Sequence, residues 1–387
     1  RQIMDQTITA DVREFGACGN GLSDDAPAFC RALESGARRV MIPDGLYLIG
    51  SPLKIASDTH IAASDAAVLL LGDGACKTKD DFFLSNSDPE HGNRYITVEG
   101  GTWNANNPGN RRVPGIFCEG AYTGVMFDFR NVENLTLKNL KLCDPESYYV
   151  RLGEVRGFHI ASIRFDSVHL RPNQDGIHLG GFCFDGVIED IAAGVWGSAN
   201  DDMVAFNADD EVERIVNQGM KRGPISRVRV SGVRAADCHT FVRLLSVDAE
   251  ISDIAVGNIS GGCRAFAVNM DAARYCRTPL FKDGDRPGGV GRIRNVTIDD
   301  MRVHKTADNG RALIIAETAA QNLVISHFTR TRSAEPPNGT PTFSLGKVRQ
   351  TTLCIDGERV VCPAGGVFES DKDVYGEILI DTAPENG

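Results

Sequence analysis

Short segments in which apolar and polar residues alternate recur along the chain, each beside a corner of Asn, Asp or Gly: 134–142, 158–165, 186–191, 225–233, 251–259, 293–298 and 323–326. Such alternation marks a short strand with one buried face. Comparable points return after 23 residues (Asn134 to Gly157), 29 (Gly157 to Gly186) and 26 (Ser226 to Ser252). A unit this small cannot bury its apolar face alone and must stack on its neighbours. The pattern predicts an all-β, single-domain right-handed parallel β-helix, a solenoid. A sandwich or propeller would need Asn-Gly or Asp-Gly hairpin links between adjacent runs, and few are present. Two intervals of 40 residues, Gly186 to Ser226 and Ser252 to Arg292, read as coils with loop insertions flanking a groove.

An open solenoid end exposes core and unpaired strand. Residues 23–34 predict an N-terminal capping helix within a cap region 10–45, with Ser23 or Asp24 as N-cap, early acids facing the helix dipole and Ala28, Phe29 and Leu33 on the apolar side. After Thr331, Pro336, Pro337 and Pro341 break the pattern before strand character resumes at 348–354. Residues 335–387 are read as a C-terminal closure of the same domain.

The 387 residues carry 41 Lys+Arg against 52 Asp+Glu, a formal charge of −11, which argues against a nucleic-acid partner. No stretch approaches the roughly 18 apolar residues of a membrane span, so no membrane partner is expected. The 11 cysteines are scattered singly without a CxxC pair. That spacing favours free thiols in a reducing compartment over a disulfide framework or a thiolate metal site, and no metal or other cofactor is expected.

Two acidic clusters fall on consecutive coils, Asn173-Gln-Asp-Gly176 and Gly197-Ser-Ala-Asn-Asp-Asp202. Asp-Gly is common turn chemistry, and a corner Asp-Asp also suits solvent or a cation. Carboxylates on stacked strands about 4.8 Å apart also suit glycosidic cleavage, in which one acid protonates the leaving oxygen and another activates water. Neighbouring strand residues point to opposite faces, so Asn200 is expected to take a left-handed backbone that turns Asp201 and Asp202 to one side. Asp209, Asp210 and Glu211 read as an exposed acidic loop. Tyr148, Tyr149 and Trp196 are candidate sugar-stacking platforms.

With these motifs the chain resembles glycoside hydrolase family 28, the polygalacturonases, whose fold is a right-handed parallel β-helix. Residues 12–25 and 40–50 are similar to opening segments of pectin-active β-helices, Asn173-Gln-Asp-Gly176 to the family's Asn-Thr-Asp-Gly, and Asn200-Asp-Asp202 to its Gly-Asp-Asp. The resemblance implies an inverting glycoside hydrolase acting on a pectic or related oligo- or polysaccharide, with Asp201 as general acid and Asp175 and Asp202 holding the attacking water. His239 stands where the family has Gly-His-Gly, here Cys238-His-Thr240. Three nearby aspartates are expected to raise its pKa. The family's Arg-x-Lys, which grips a uronate, falls at Ala267-Val-Asn269. Arg243, Arg264, Arg274 and Lys282 are candidate replacements, and Asn173 and His178 complete the expected substrate contacts. The enlarged coils suggest a partly closed groove and exo action. A lyase or epimerase on the same fold and a noncatalytic carbohydrate-binding solenoid are the alternatives. The family resemblance points to secretion, the cysteines to the cytoplasm.

Overall fold

The computed structural model describes residues 8–115, 117–194, 199–272 and 291–345, and beyond them the backbone of four short strands. Among the described residues strands predominate, and they pair in three parallel ladders. In the first, Leu137, Ile160, Ile188, Val230, Val256, Ile298 and Ile325 lie in register on successive coils. The second aligns Leu140, Ile163, Ile191, Val233, Ile259, Met301 and Phe328 in the same way. The third runs through Phe127, Val150, Ile177, Val204, Val242, Val268 and Ile314. All of these side chains are buried and belong to one apolar cluster that extends from Ala10 to Leu345. Burial of each contributes about 1.5–3 kcal/mol, and like residues stacked on like tolerate the close rung spacing.

What bends the strands between ladders is an aligned column of left-handed residues. Asn134, Gly157, Asp185, Arg227, Asp253, Asn295 and Asn322 all have positive φ, and the residues just before them pair in register. Five residues on, Asn139, Ser162, Asp190, Gly232, Asn258, Asp300 and His327 repeat the conformation. Asn, Asp and Gly carry most of these positions because they visit the left-handed region at least cost. These are the corners that the sequence repeat marks, and the seven expected strand segments all lie in strands.

The helix forms at Ala26–Glu34 and buries Ala28, Phe29 and Leu33. Its N-cap position is Asp25 rather than Ser23 or Asp24, and its first turn holds no acid, being Ala26-Pro27-Ala28-Phe29. The Asp25 carboxylate is drawn off by the Cys18 and Gly19 N–H groups, and Asp24 Oδ1 accepts from Ala26 N at 3.0 Å. Toward the C-terminus pairing turns antiparallel, between Leu353–Ile355 and Glu358–Val360 and between Val367–Glu369 and Leu379–Asp381. Among the described residues the cysteines are free thiols.

The outward side of the third ladder is unusual in being buried. Asp128, Arg151, His178, Ala205, Arg243 and Asn269 follow one another in register there. The segment 208–224 folds over Arg151 and lines a cavity with His178 and the half-buried Arg243, and its 3₁₀ turn Ile215–Asn217 packs Ile215 and Val216 against Phe82, Val125 and Tyr148. The fully buried Arg151 holds that segment, donating to the Val216 and Gln218 carbonyls at 2.9 Å each while its Nε pairs with Asp128 at 2.6 Å. Gln218 in turn bonds Gly120 N and the Cys118 carbonyl. One of the two long sequence intervals is thus a folded cover rather than a free loop.

Ile188→Ala in the first ladder is expected to cost about 2–5 kcal/mol in urea unfolding. Leu46→Ala, at a side chain 43% exposed, is expected to stay within about 0.5 kcal/mol. Equal losses at the two positions would contradict the inward assignment of Ile188.

Candidate active site

Register brings the two acidic clusters together. Ile177 pairs with Val204, and Gly176 N–H donates to the Asp202 carbonyl at 2.8 Å. Asp175 therefore lies directly opposite Asp202 on the next coil, about 4.8 Å away along the ladder, with both side chains on the same face. Gly176 is required between them: a Cβ there would stand 2.5 Å from the Met203 carbonyl and 2.7 Å from the Phe165 ring. Asp202 opens the strand Asp202–Asn207, and Asp201 precedes it. The left-handed residue that turns the chain is Ala199 (φ 53°) and not Asn200 as expected. Asn200 instead fixes the bend by its side chain, receiving the Arg264 guanidinium at 2.5 Å and donating to the Arg171 carbonyl.

A cavity of about 60 Å³ opens among Asn173, Asp175, His178, Asp201, Asp202, Arg214 and Arg243, with Tyr148, Asn207, Asp210, Glu211, Asn217 and Leu245 completing the lining. Asp175 and Asp202 are each 3% exposed, whereas the side chain of Asp201 is 21% exposed. Burial, and next the Asp201 charge, push Asp175 and Asp202 well above the usual carboxylate range. Both buried carboxyls are thereby biased toward the protonated form. Asp202 Oδ1 is buried without a hydrogen-bond partner in the protein. Asn173, itself left-handed at φ 62°, reaches Asp201 Oδ2 at 3.5 Å.

His239 Nδ1 lies 3.7 Å from Asp201 Oδ1 and 3.0 Å from Thr240 Oγ1. The expected upward pKa shift is reversed: burial lowers it, and the attraction of Asp201 is the smaller effect. Donor atoms of Asp201, Asp202 and His239 fall within 4.8 Å of one another, a spacing that a cation could bridge and that serves proton transfer equally well. His178 sits beneath the cavity rather than at its rim, 2% exposed, with Nδ1 2.7 Å from Asp175 Oδ2.

The remaining expected contacts are placed as follows. Arg243 lines the cavity with Nη2 2.9 Å from the buried Asp271. Arg264 is turned to Asp237 at 3.1 Å and to Asn200, outside the lining. Trp196, Arg274 and Lys282 lie outside the described residues. Neither tyrosine is an exposed platform: Tyr149 is buried against Ser167, and Tyr148 stacks on the His178 ring with centroids 4.0 Å apart. The acidic triplet is also buried rather than exposed. Asp209 accepts the Val247, Asp248 and Ala249 N–H groups at 2.6–2.8 Å, anchoring the cover, and Asp210 and Glu211 face the cavity. Arg214, paired with Glu211 at 2.9 Å, was not among the candidates. A Glu-x-x-Arg pair reads as an ordinary surface ion pair, and only the folding of the cover brings it inward.

The strand-built core in three parallel ladders has counterparts among solved structures. A hyperthermoactive exopolygalacturonase from Thermotoga maritima superposes with a TM-score of 0.52 at 13% identity, covering 93% of this chain and 95% of that one. A probable polygalacturonase of Arabidopsis thaliana is 26% identical over 327 residues, 82% of this chain and 62% of the relative. The fold is polygalacturonase-like. The chain spans about three-fifths of the length of the curated relatives it matches. The polygalacturonase-like architecture also carries other reactions: an iota-carrageenase of family GH82 from A. fortis matches with a TM-score of 0.57 (14% identity, 92% of this chain, 89% of that one). The A-module of a mannuronan C-5 epimerase from Azotobacter vinelandii matches at 0.53 (13% identity, 89% and 95%). No protein-family model matches the chain.

The carboxylate cluster has a stability consequence. Because the folded-state pKa of Asp202 lies above its unfolded value, stability falls as pH rises from about 4 through the folded pKa, and the full cost is present above it. Asp202→Asn is therefore expected to raise Tm at pH 7 and to lose that gain as pH approaches 4. Calorimetry at the two pH values checks this; a lower Tm for the variant at pH 7 would contradict it.

Proposed function

We propose that this chain is a single-domain right-handed parallel β-helix, closed at its N-terminal end by the helix Ala26–Glu34, and that it is an inverting glycoside hydrolase of pectic or related oligo- or polysaccharides. The observation that carries the reading is the graded carboxylate cluster. Asp201 is the member that solvent reaches, while Asp175 and Asp202 are buried opposite each other on adjacent coils. Asp201 is the general acid that protonates the leaving oxygen. Asp175 and Asp202 hold the attacking water, to which the unpartnered Asp202 Oδ1 offers an acceptor. Direct displacement by water inverts the anomeric carbon. His239, 3.7 Å from Asp201, is kept uncharged by burial and orients the acid. No cofactor enters this scheme. The cover over the third ladder closes one side of the groove and favours attack at chain ends.

The charge pattern bears on the sugar. Both cations of the cavity have carboxylate partners, Arg243 with Asp271 and Arg214 with Glu211, and the lining adds Asp175, Asp201, Asp202 and Asp210. A uronate at the cleavage point would meet this acidic lining without an uncommitted guanidinium, so a neutral ring is the better fit. The same pairing weighs against a lyase or epimerase, which must neutralise the carboxylate beside the abstracted proton.

Proton NMR of oligosaccharide digests is expected to show new reducing ends of inverted anomeric configuration, with kcat at least about a thousandfold lower in Asp201→Asn. Retention, or an unsaturated sugar, would overturn the assignment; glycan binding without turnover would leave a carbohydrate-binding solenoid. Carboxyl-reduced oligogalacturonides are expected to be cleaved at least tenfold faster than the native acids, as product chromatography would show.

A further inference from the structure

His178 is buried, chemically capable and unused in the scheme above, and its surroundings decide its protonation. The Asn207 amide is oriented by its neighbours: Oδ1 accepts Asp210 N at 2.8 Å, and Nδ2 donates to the Asp210 carbonyl at 3.0 Å. The amide nitrogen is therefore the atom presented to His178 Nε2, 3.4 Å away. A nitrogen facing an N–H donor must be the lone-pair nitrogen, so the ring proton sits on Nδ1. Nδ1–H points at Asp175 Oδ2, 2.7 Å away. The ring cannot turn, because Tyr148 stacks on it at 10° between planes. Tyr148 is fixed in turn, its hydroxyl donating at 2.8 Å to Asn217 Oδ1, whose amide nitrogen is committed to the Glu211 carbonyl.

We propose that His178, uncharged and protonated on Nδ1, is a positioning residue that fixes one carboxyl oxygen of Asp175 as a hydrogen-bond acceptor and turns the other to the cavity as the base for water. The proposal rests on the hydrolase reading for its catalytic consequence. In that step water forms the new bond to the anomeric carbon, its proton passes to the free oxygen of Asp175, the glycosidic C–O bond breaks, and the Asp201 proton goes to the leaving oxygen. The Nδ1–H bond to Oδ2 favours the ionised form of Asp175, against the burial that raises its pKa. The groups facing the His178–Asp175 pair are Tyr148, Arg151, Asp201, Asp202, Arg214 and Arg243. Burial, followed by the Arg151 guanidinium on the preceding coil, pulls His178 down to about 3, in keeping with a neutral ring.

Two measurements test this. Long-range ¹H–¹⁵N spectra of the whole protein labelled at histidine nitrogens, with His178→Asn for assignment, are expected to show the Nδ1–H tautomer and no titration between pH 5 and 8. An Nε2–H tautomer or an imidazolium in that range overturns the proposal, whether or not a substrate is known. Kinetically, His178→Gln, which lacks a donor at the Nδ1 position, is expected to lose about 10–100-fold in kcat. Its KM should stay within about threefold, and the acid limb of its pH–rate profile should move to higher pH. His178→Asn, whose amide nitrogen falls near Nδ1, is expected to recover most of that loss. Wild-type kcat in His178→Gln overturns the role while leaving the hydrolase standing. No turnover by the wild type overturns the hydrolase and the catalytic half of the proposal, and the spectrum still decides the tautomer.

Discussion

Everything in this molecule depends on the two aligned columns of left-handed residues that bend successive coils at the same places. A left-handed residue costs an ordinary L-amino acid about 1–2 kcal/mol. The cost is met only if each bend sets the next strand in register over the last. Displacing one corner by one residue would invert every following side chain between core and surface. Ser162 and Arg227 hold the conformation without the advantage of Asn, Asp or Gly, so register prevails over local preference there. Functional side chains inherit the same discipline. Asp175 and Asp202 face each other because Ile177 and Val204 do.

The second requirement is a cover. On a bare ladder the outward column Asp128, Arg151, His178, Arg243 would be a solvated stripe. The segment 208–224 removes it from water, and it is this burial, more than any single neighbour, that raises Asp175 and Asp202 and depresses His178. Arg151 satisfies two carbonyls of the cover, and Asp209 gathers three N–H groups at its base, so the cover is tied by charge-assisted bonds at both ends. The interactions that stabilise the cover therefore also set the proton affinities beneath it.

This division explains what could be read beforehand. Alternation and corner residues report a local rule repeated on each coil, so strand positions such as 134–142 and 225–233 were legible from spacing alone. That the two acidic clusters fall on consecutive coils was legible too, whereas the register that sets Asp175 opposite Asp202 was not. What was not legible arises where an insertion folds back. Asp209, Asp210 and Glu211 have the composition of an exposed loop and are buried because the ladder beneath supplies their donors. Arg214 gives no sign of its position for the same reason. The bend at Ala199 rather than Asn200 shows how a residue suited to a left-handed backbone can be used for its side chain instead, here as the acceptor for Arg264.

The pairing of Arg243 with Asp271 and of Arg214 with Glu211 carries the argument about substrate one step further. A guanidinium held by a buried carboxylate still donates hydrogen bonds, but it presents little net charge to a ligand. Its remaining N–H groups recognise hydroxyl oxygens, which are plentiful on a neutral sugar, and bind a carboxylate only against the repulsion of the acids around it. A cleft in which each cation carries its own counter-charge selects by hydrogen-bond geometry rather than by charge.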